Sequence, residues 1–217
     1  DEDNLAIWNA AYFGNSRAMK RLCESNFGIN SFVSGSTSLF MDVQNGHFEC
    51  AKLLLDHGAD LSLLTKKTED DDDALEGASP LFAASWKGHA QILKLILEKE
   101  KSNINHRADD DNTPIEAAAE NGYTEVVEIL IQYGASFKSP DSQALELAAK
   151  GGHEKTVETL LKHGAFSDAS ELGADNYLSG KLVTAAASGG SVKILELLMQ
   201  NASLDIYSKS DDGERSP

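Results

Sequence analysis

Apolar residues recur along this chain in blocks that share one internal plan. Glycines at Gly14, Gly46, Gly88, Gly122, Gly152 and Gly189 mark the blocks. Seven residues before each stands a large aliphatic: Ile7, Leu39, Leu81, Ile115, Leu145 and Leu182. Five residues after come Met19, Ala51, Leu93, Val127, Val157 and Ile194. Eight and nine after come Leu22/Cys23, Leu54/Leu55, Ile96/Leu97, Leu130/Ile131, Leu160/Leu161 and Leu197/Leu198. Offsets of 5, 8 and 9 fall on one helical stripe. Each block therefore predicts a short helix, a turn at the glycine, a longer helix and a polar connection. The glycines are 32, 42, 34, 30 and 37 residues apart, a period near 33 with two insertions.

The ends of the predicted helices carry their own chemistry. Ser79-Pro80 and Thr113-Pro114 offer a capping oxygen followed by a proline, whose missing N–H costs nothing at the first helical position. Thr37 and Ser142 are placed to cap two others. Gly58, Gly134 and Gly164 stand where a left-handed residue ends the second helix, and Asn26 and Asn201 occupy the same place elsewhere.

These residues carry a family resemblance. Ser79-Pro-Leu-Phe-Ala-Ala-Ser-Trp-Lys-Gly-His89 and Thr113-Pro-Ile-Glu-Ala-Ala-Ala-Glu-Asn-Gly122 resemble the ankyrin repeat's Thr-Pro-Leu-His-x-Ala-Ala-x-x-Gly-His. Gly46-His-Phe-Glu-Cys-Ala-Lys-Leu-Leu-Leu-Asp-His-Gly-Ala-Asp60 resembles its second half. The resemblance covers about residues 4 to 205. It implies an all-α solenoid of stacked helix-turn-helix units, with β-hairpin-like fingers that line a concave face together with the first helices. One array over residues 1–207 is expected, in units of about 1–31, 32–73, 74–107, 108–137, 138–168 and 175–207. An acidic insertion spans 66–76 and a frayed tail 208–217.

Two departures from the motif matter. Its first His is replaced throughout, by Trp8, Phe40, Phe82, Glu116, Glu146 and Val183. The bonds from that ring to neighbouring loops lose their usual donor, and aromatic packing is the expected substitute in the first three units. Asp42 stands where the family has a small buried Ala. It must find a partner or mark a distorted helix, because an unpaired buried carboxylate costs several kcal/mol.

Composition narrows the function. The 217 residues include 19 basic and 35 acidic ones, a formal charge of −16. The apolar fraction of 41% is that of a globular chain. The charge argues against nucleic acid as the ligand and suits a basic protein or peptide. No apolar run reaches the roughly 20 residues of a membrane span. The acidic start, Asp1-Glu-Asp-Asn4, is the reverse of a signal peptide's n-region. With only Cys23 and Cys50, no disulfide framework is expected, and an intracellular setting, cytoplasmic or nuclear, follows. The chain does not begin with Met and is expected to be a fragment.

No catalytic constellation stands out. His47, His89 and His153 follow turn glycines, His57 and His163 precede cap glycines, and His106 sits in a connection. All six read as structural, and the two cysteines as small buried hydrophobes. Asp70–Asp73 and Asp109–Asp111 lack the alternation of a calcium loop. The chain is expected to be no enzyme and to need no cofactor or metal. Five adjacent carboxylates, Glu69 to Asp73, should resist ordering.

The resemblance points to the residues before each turn glycine and at the fingers. Tyr12, Phe13 and Trp86 are large rings with no core role there, and exposed aromatics are enriched in binding hot spots. With Asn45, Lys87, Glu120 and Asn121 from the helix ends, and Phe32, Asp109, Asp110 and Tyr177 from the fingers, they form the expected partner-binding set. An aromatic shelf beside carboxylates suits an extended segment with a basic residue and an apolar anchor. The expected function is a monomeric scaffold or adaptor. The alternatives are a regulatory or autoinhibitory module of a larger enzyme or channel, and an inhibitor plugging a basic cleft.

Overall fold

The capping signals act where the sequence puts them. In the computed structural model, which describes residues 2–25, 28–68, 76–101, 103–108, 111–138, 142–165 and 175–202, Thr37, Ser79 and Thr113 each accept the N–H three residues on. They open α3 (Ser38–Asn45), α5 (Pro80–Lys87) and α7 (Pro114–Glu120). Ser142 sits one residue early: α9 (Ala144–Lys150) starts from Gln143 with no side-chain cap. The stop glycines Gly58, Gly134 and Gly164 all have positive φ. Asn26 lies outside the described residues, and Asn201 lies inside the last helix rather than ending it.

The remaining first helices are α1 (Glu2–Tyr12) and α11 (Asp175–Ser188). The second helices are α2 (Ser16–Glu24), α4 (Phe48–Asp56), α6 (Ala90–Lys99), α8 (Thr124–Gln132), α10 (Glu154–Lys162) and α12 (Val192–Ala202). Each first helix packs on the second helix that follows it. First helices also pack on first helices, α1 to α3 and onward to α11, and second helices on second helices. The result is a two-layered stack of antiparallel hairpins, an all-α solenoid. Its core is the expected stripe: Met19, Ala51, Leu93, Val127, Val157 and Ile194 are all wholly buried.

One register differs. In the last hairpin the left-handed turn residue is Gly190 rather than Gly189. Gly189 instead presses on Ala149 and Gly152 of the preceding turn, where a Cβ would lie 2.3 Å from the Ala149 carbonyl oxygen. The Gly-Gly pair takes up one extra residue without moving Leu182 or Ile194 from the core.

The fingers are only partly ladders. β1 (Phe32–Val33) and β2 (Ser36–Thr37) pair antiparallel across Ser34-Gly35, both with positive φ, as a tight hairpin turn requires. The Lys66 N–H donates to the Gly35 carbonyl at 2.8 Å, which ties this finger to the next. The long insertion is closed at its base by Thr65 N–H to Ala78 O and Gly77 N–H to Thr65 O. Residues 69–75, with the acidic run, lie outside the described residues.

Hydrogen bonds bind the hairpins to one another. Side chains after three of the turn glycines reach back one unit: His47 Nδ1 to Ala11 O at 2.8 Å, His89 Nε2 to Gln44 O at 3.2 Å and His153 Nε2 to Glu120 O at 2.8 Å. The carbonyls fix the tautomers, since each bonded nitrogen must donate. The missing motif histidine is replaced by more than packing. Trp8 Nε1 donates to Ser36 Oγ of the next finger at 3.2 Å. Buried Glu116 accepts from Thr113 N and Oγ1 at 2.9 and 2.8 Å, from Gln143 N at 2.9 Å and from Arg107 Nη1 at 3.2 Å. An acceptor thus stands in for a donor ring. Phe40 and Phe82 are buried, as expected for packing substitutes.

Asp42 takes neither expected course. Its helix is regular and ends on left-handed Gly46. The side chain is wholly buried and neither oxygen has a hydrogen-bond partner among the described residues. His47 Nδ1 comes within 3.5 Å but is directed at Ala11 O. Burial raises the carboxyl pKa to about 8, against a smaller opposing pull from the Cys50 thiol. The group is therefore accommodated by keeping its proton at neutral pH.

Candidate protein-binding face

The expected binding residues lie at the first-helix ends and in the fingers, and the structure treats them unevenly. At the α1 end the rings form a ladder. Trp8 stacks on Tyr12 with centroids 5.4 Å apart, and Tyr12 meets Phe13 edge-on at 5.0 Å. Tyr12 is 47% and Phe13 75% exposed. Asn45 from α3 donates to the Tyr12 carbonyl at 3.4 Å, so its amide fixes the position of this ladder.

Two other expected rings already carry a cation. Lys87 Nζ sits 3.9 Å from the Trp86 ring centroid, and Trp86 is half-buried against the core. Lys66 Nζ sits 3.9 Å from the Phe32 ring. A partner's arginine or lysine would have to displace these residues to use the same faces. Asn121 spends its amide on Ala117 O at 2.9 Å within its own helix. Glu120 is exposed, and its carbonyl holds His153.

The acidic finger is partly neutralised. Asp109 and Asp110 lie outside the described residues. Asp111, in left-handed conformation, takes a hydrogen bond on its carbonyl from Arg107 Nη1, with its carboxylate 3.8 Å from the same nitrogen. Arg107 also meets buried Glu116. Tyr177, expected on a finger, lies instead within α11. The extra turns of α11 begin at Asp175 and absorb the segment that the repeat spacing assigns to a connection.

Sequence reasoning did not foresee that Arg107, Lys66 and Trp8 contact Glu116, Phe32 and Ser36. Only Trp8 gave a signal, as a ring in place of the motif histidine. A lysine's choice of ring depends on side-chain torsions that periodicity does not encode.

The candidate nucleophiles are inert by position. Cys23 and Cys50 are free and buried. Burial, with the nearby Asp42, raises the Cys50 thiol to about 12 and raises Cys23 as well, which leaves little thiolate. No three His, Cys, Asp or Glu side chains among the described residues converge on a metal-sized site. No described helix is long and apolar enough to cross a membrane.

A stack of two-layered hairpins with an exposed finger side defines the solenoid class of binding proteins. The profile of "Ankyrin repeats (3 copies)" matches residues 1–65, 61–141 and 81–171. The chain belongs to the ankyrin-repeat family, whose repeats generally mediate protein–protein interaction. The crystal structure of the human ASB11 ankyrin repeat domain superposes with a TM-score of 0.73 at 26% identity, over 90% of this chain and 82% of that one. Among curated proteins, alpha-latrocrustotoxin-Lt1a of Latrodectus tredecimguttatus is 37% identical over 75 residues, 35% of this chain and 5% of the toxin. The probable E3 ubiquitin-protein ligase XBOS32 of Oryza sativa subsp. japonica is 29% identical over 163 residues, 61% of this chain and 31% of that protein. The matched part is thus under a third of each of these curated relatives.

Proposed function

We propose that this chain is a non-catalytic, monomeric protein-binding module whose first-helix ends and fingers line a concave groove for an extended segment of a partner. The repeat units are taken to divide at the connections, over residues 1–207. The observation that carries the reading is the Trp8–Tyr12–Phe13 ladder. Three rings linked through Tyr12, with Phe13 mostly in water, are a ready-made apolar anchor site. Most of the −16 charge lies in the connections and chain ends rather than in the helices. That distribution favours a partner whose basic residues run along the finger side.

Affinity capture tests this reading. Partners recovered by the wild type should fall roughly tenfold or more with Tyr12→Ala/Phe13→Ala, since aromatic hot spots are worth about 2 kcal/mol or more. Equal recovery would remove the ladder from the interface. A second reading is a regulatory module that masks another domain of a longer polypeptide, or an inhibitor of a basic cleft. It draws support from the small share of the relatives that the chain spans.

A further inference from the structure

Arg17, Lys20 and Arg21 recur along α2 at steps of three and one, so they stand on one face of the helix, with Glu24 next along it. All four are exposed. The other five second helices carry two lysines at most and no arginine. On a chain of charge −16, two of the four arginines thus sit about one helical turn apart on a single short helix.

The repeat does not account for them. Arg21 stands seven residues past the turn glycine, where α4, α6 and α8 place Leu53, Leu95 and Ile129 partly buried against the core. Among the described residues, Arg17, Lys20 and Arg21 form no ion pair, side-chain hydrogen bond or ring contact. Neighbouring cations without a partner repel one another, and an anion that meets them relieves that repulsion.

The spacing indicates which anion. Arg17 and Arg21 lie about 6 Å apart along the helix axis. Alternate side chains of an extended segment lie about 6.6 Å apart. Two carboxylates at alternate positions can therefore meet both guanidiniums, each in the bidentate geometry that arginine favours. Phe13, 75% exposed, and Arg17 flank the same turn at Gly14, so a segment anchored on the ladder can continue onto α2. An anionic bilayer or a nucleic acid would present its charge to the whole acidic chain and be repelled by most of it. A short acidic segment meets this face alone.

On these observations, and resting on the protein-binding reading above, we propose that the exposed face of α2 docks an acidic segment of the partner protein. Two Asp or Glu side chains at alternate positions take Arg17 and Arg21, and an apolar residue of the same segment lies across the Gly14 turn on Tyr12 and Phe13.

Three variants test this, each checked for native helicity and melting temperature: Arg17→Glu/Arg21→Glu, Arg17→Lys/Arg21→Lys and Tyr12→Ala/Phe13→Ala. The probe is a phage-displayed library of random peptides, with phosphatidylserine vesicles as a second probe. Selection on wild type should enrich Asp or Glu at two positions, one residue apart, beside an apolar residue. Those peptides should bind the Glu variant roughly tenfold or more weakly, by a margin that shrinks as salt is added. The Lys variant should lose less, since it keeps the charge and gives up the bidentate fit. Vesicles should bind none of the proteins. Selected peptides without the acidic pair, or with equal affinity for the Glu variant, overturn this proposal and leave the ladder reading standing if they still need Tyr12 and Phe13. Vesicles that bind wild type and not the Glu variant overturn it in favour of a lipid surface. An empty selection, or peptides indifferent to all three variants, overturns the protein-binding reading and this proposal with it.

Discussion

Replacing Asp42 with alanine should raise the melting temperature at pH 7 by roughly 5–15 °C. The reason is proton linkage. In the unfolded chain this carboxyl titrates near 3.8, and in the fold at about 8. Between those values the folded state holds a proton that the unfolded state has lost. The contribution of Asp42 is therefore most favourable below pH 3.8 and declines as pH rises through the window to about 8. The decline is about 1.4 kcal/mol per pH unit. At pH 7 the linkage has removed on the order of 4 kcal/mol. Alanine avoids that term, and the methylene-sized gap it leaves costs about 1 kcal/mol. The net gain is about 2–4 kcal/mol.

Melting curves at pH 5, 7 and 9 for both proteins check this. The difference between variant and wild type should widen from pH 5 to about 8 and then stay level. A variant that melts lower at pH 7, or a difference that ignores pH, would mean that the carboxyl is paired or hydrated in solution.

Glu116→Ala should act in the opposite direction, with a loss of about 3–5 kcal/mol. The glutamate is 1% exposed and is the shared acceptor for Thr113 N and Oγ1, Gln143 N and Arg107. Truncation leaves two backbone donors without their partner, and part of the guanidinium's compensation is lost with them. Glu116→Gln keeps the volume and one acceptor oxygen but turns an amide N–H₂ toward other donors, so an intermediate loss of about 1–2 kcal/mol is expected. Urea denaturation resolves the series. An alanine variant within 0.5 kcal/mol of wild type would show that the network carries no stability.

The fold was almost fully legible because the evidence for it is repeated. Seven residues before and five after each such glycine, the same kinds of side chain recur, and those side chains are buried in the core. Among the turns, the slip of Gly189 for Gly190 came where two adjacent glycines are equally able to turn the chain. The candidate face was legible only in part. Tyr12 and Phe13 stand just before the turn glycine, off the buried stripe, and are exposed as the repeat register alone foresees. That Trp86 and Phe32 each hold a lysine depends on how Lys87 and Lys66 fold back, which leaves no trace in spacing. The roles of Glu116 and Trp8 were hidden for another reason. A substitution that keeps a hydrogen bond while changing its polarity looks, in sequence, like a loss.

Among the described residues, the histidine bonds between hairpins on the turn side are interrupted at the fourth hairpin. His47, His89 and His153 each strap a hairpin to its predecessor, but Tyr123 holds the corresponding place in the fourth, its ring lying over Gly88 with no nitrogen to donate. On the finger side the same neighbours stay joined, through Asn103 to Leu61 O at 2.9 Å and His106 to Gly77 O at 3.0 Å. A joint pinned along one edge and unstrapped along the other is a pivot. The joint between the third and fourth hairpins is thus where a change of curvature breaks the fewest hydrogen bonds among the described residues.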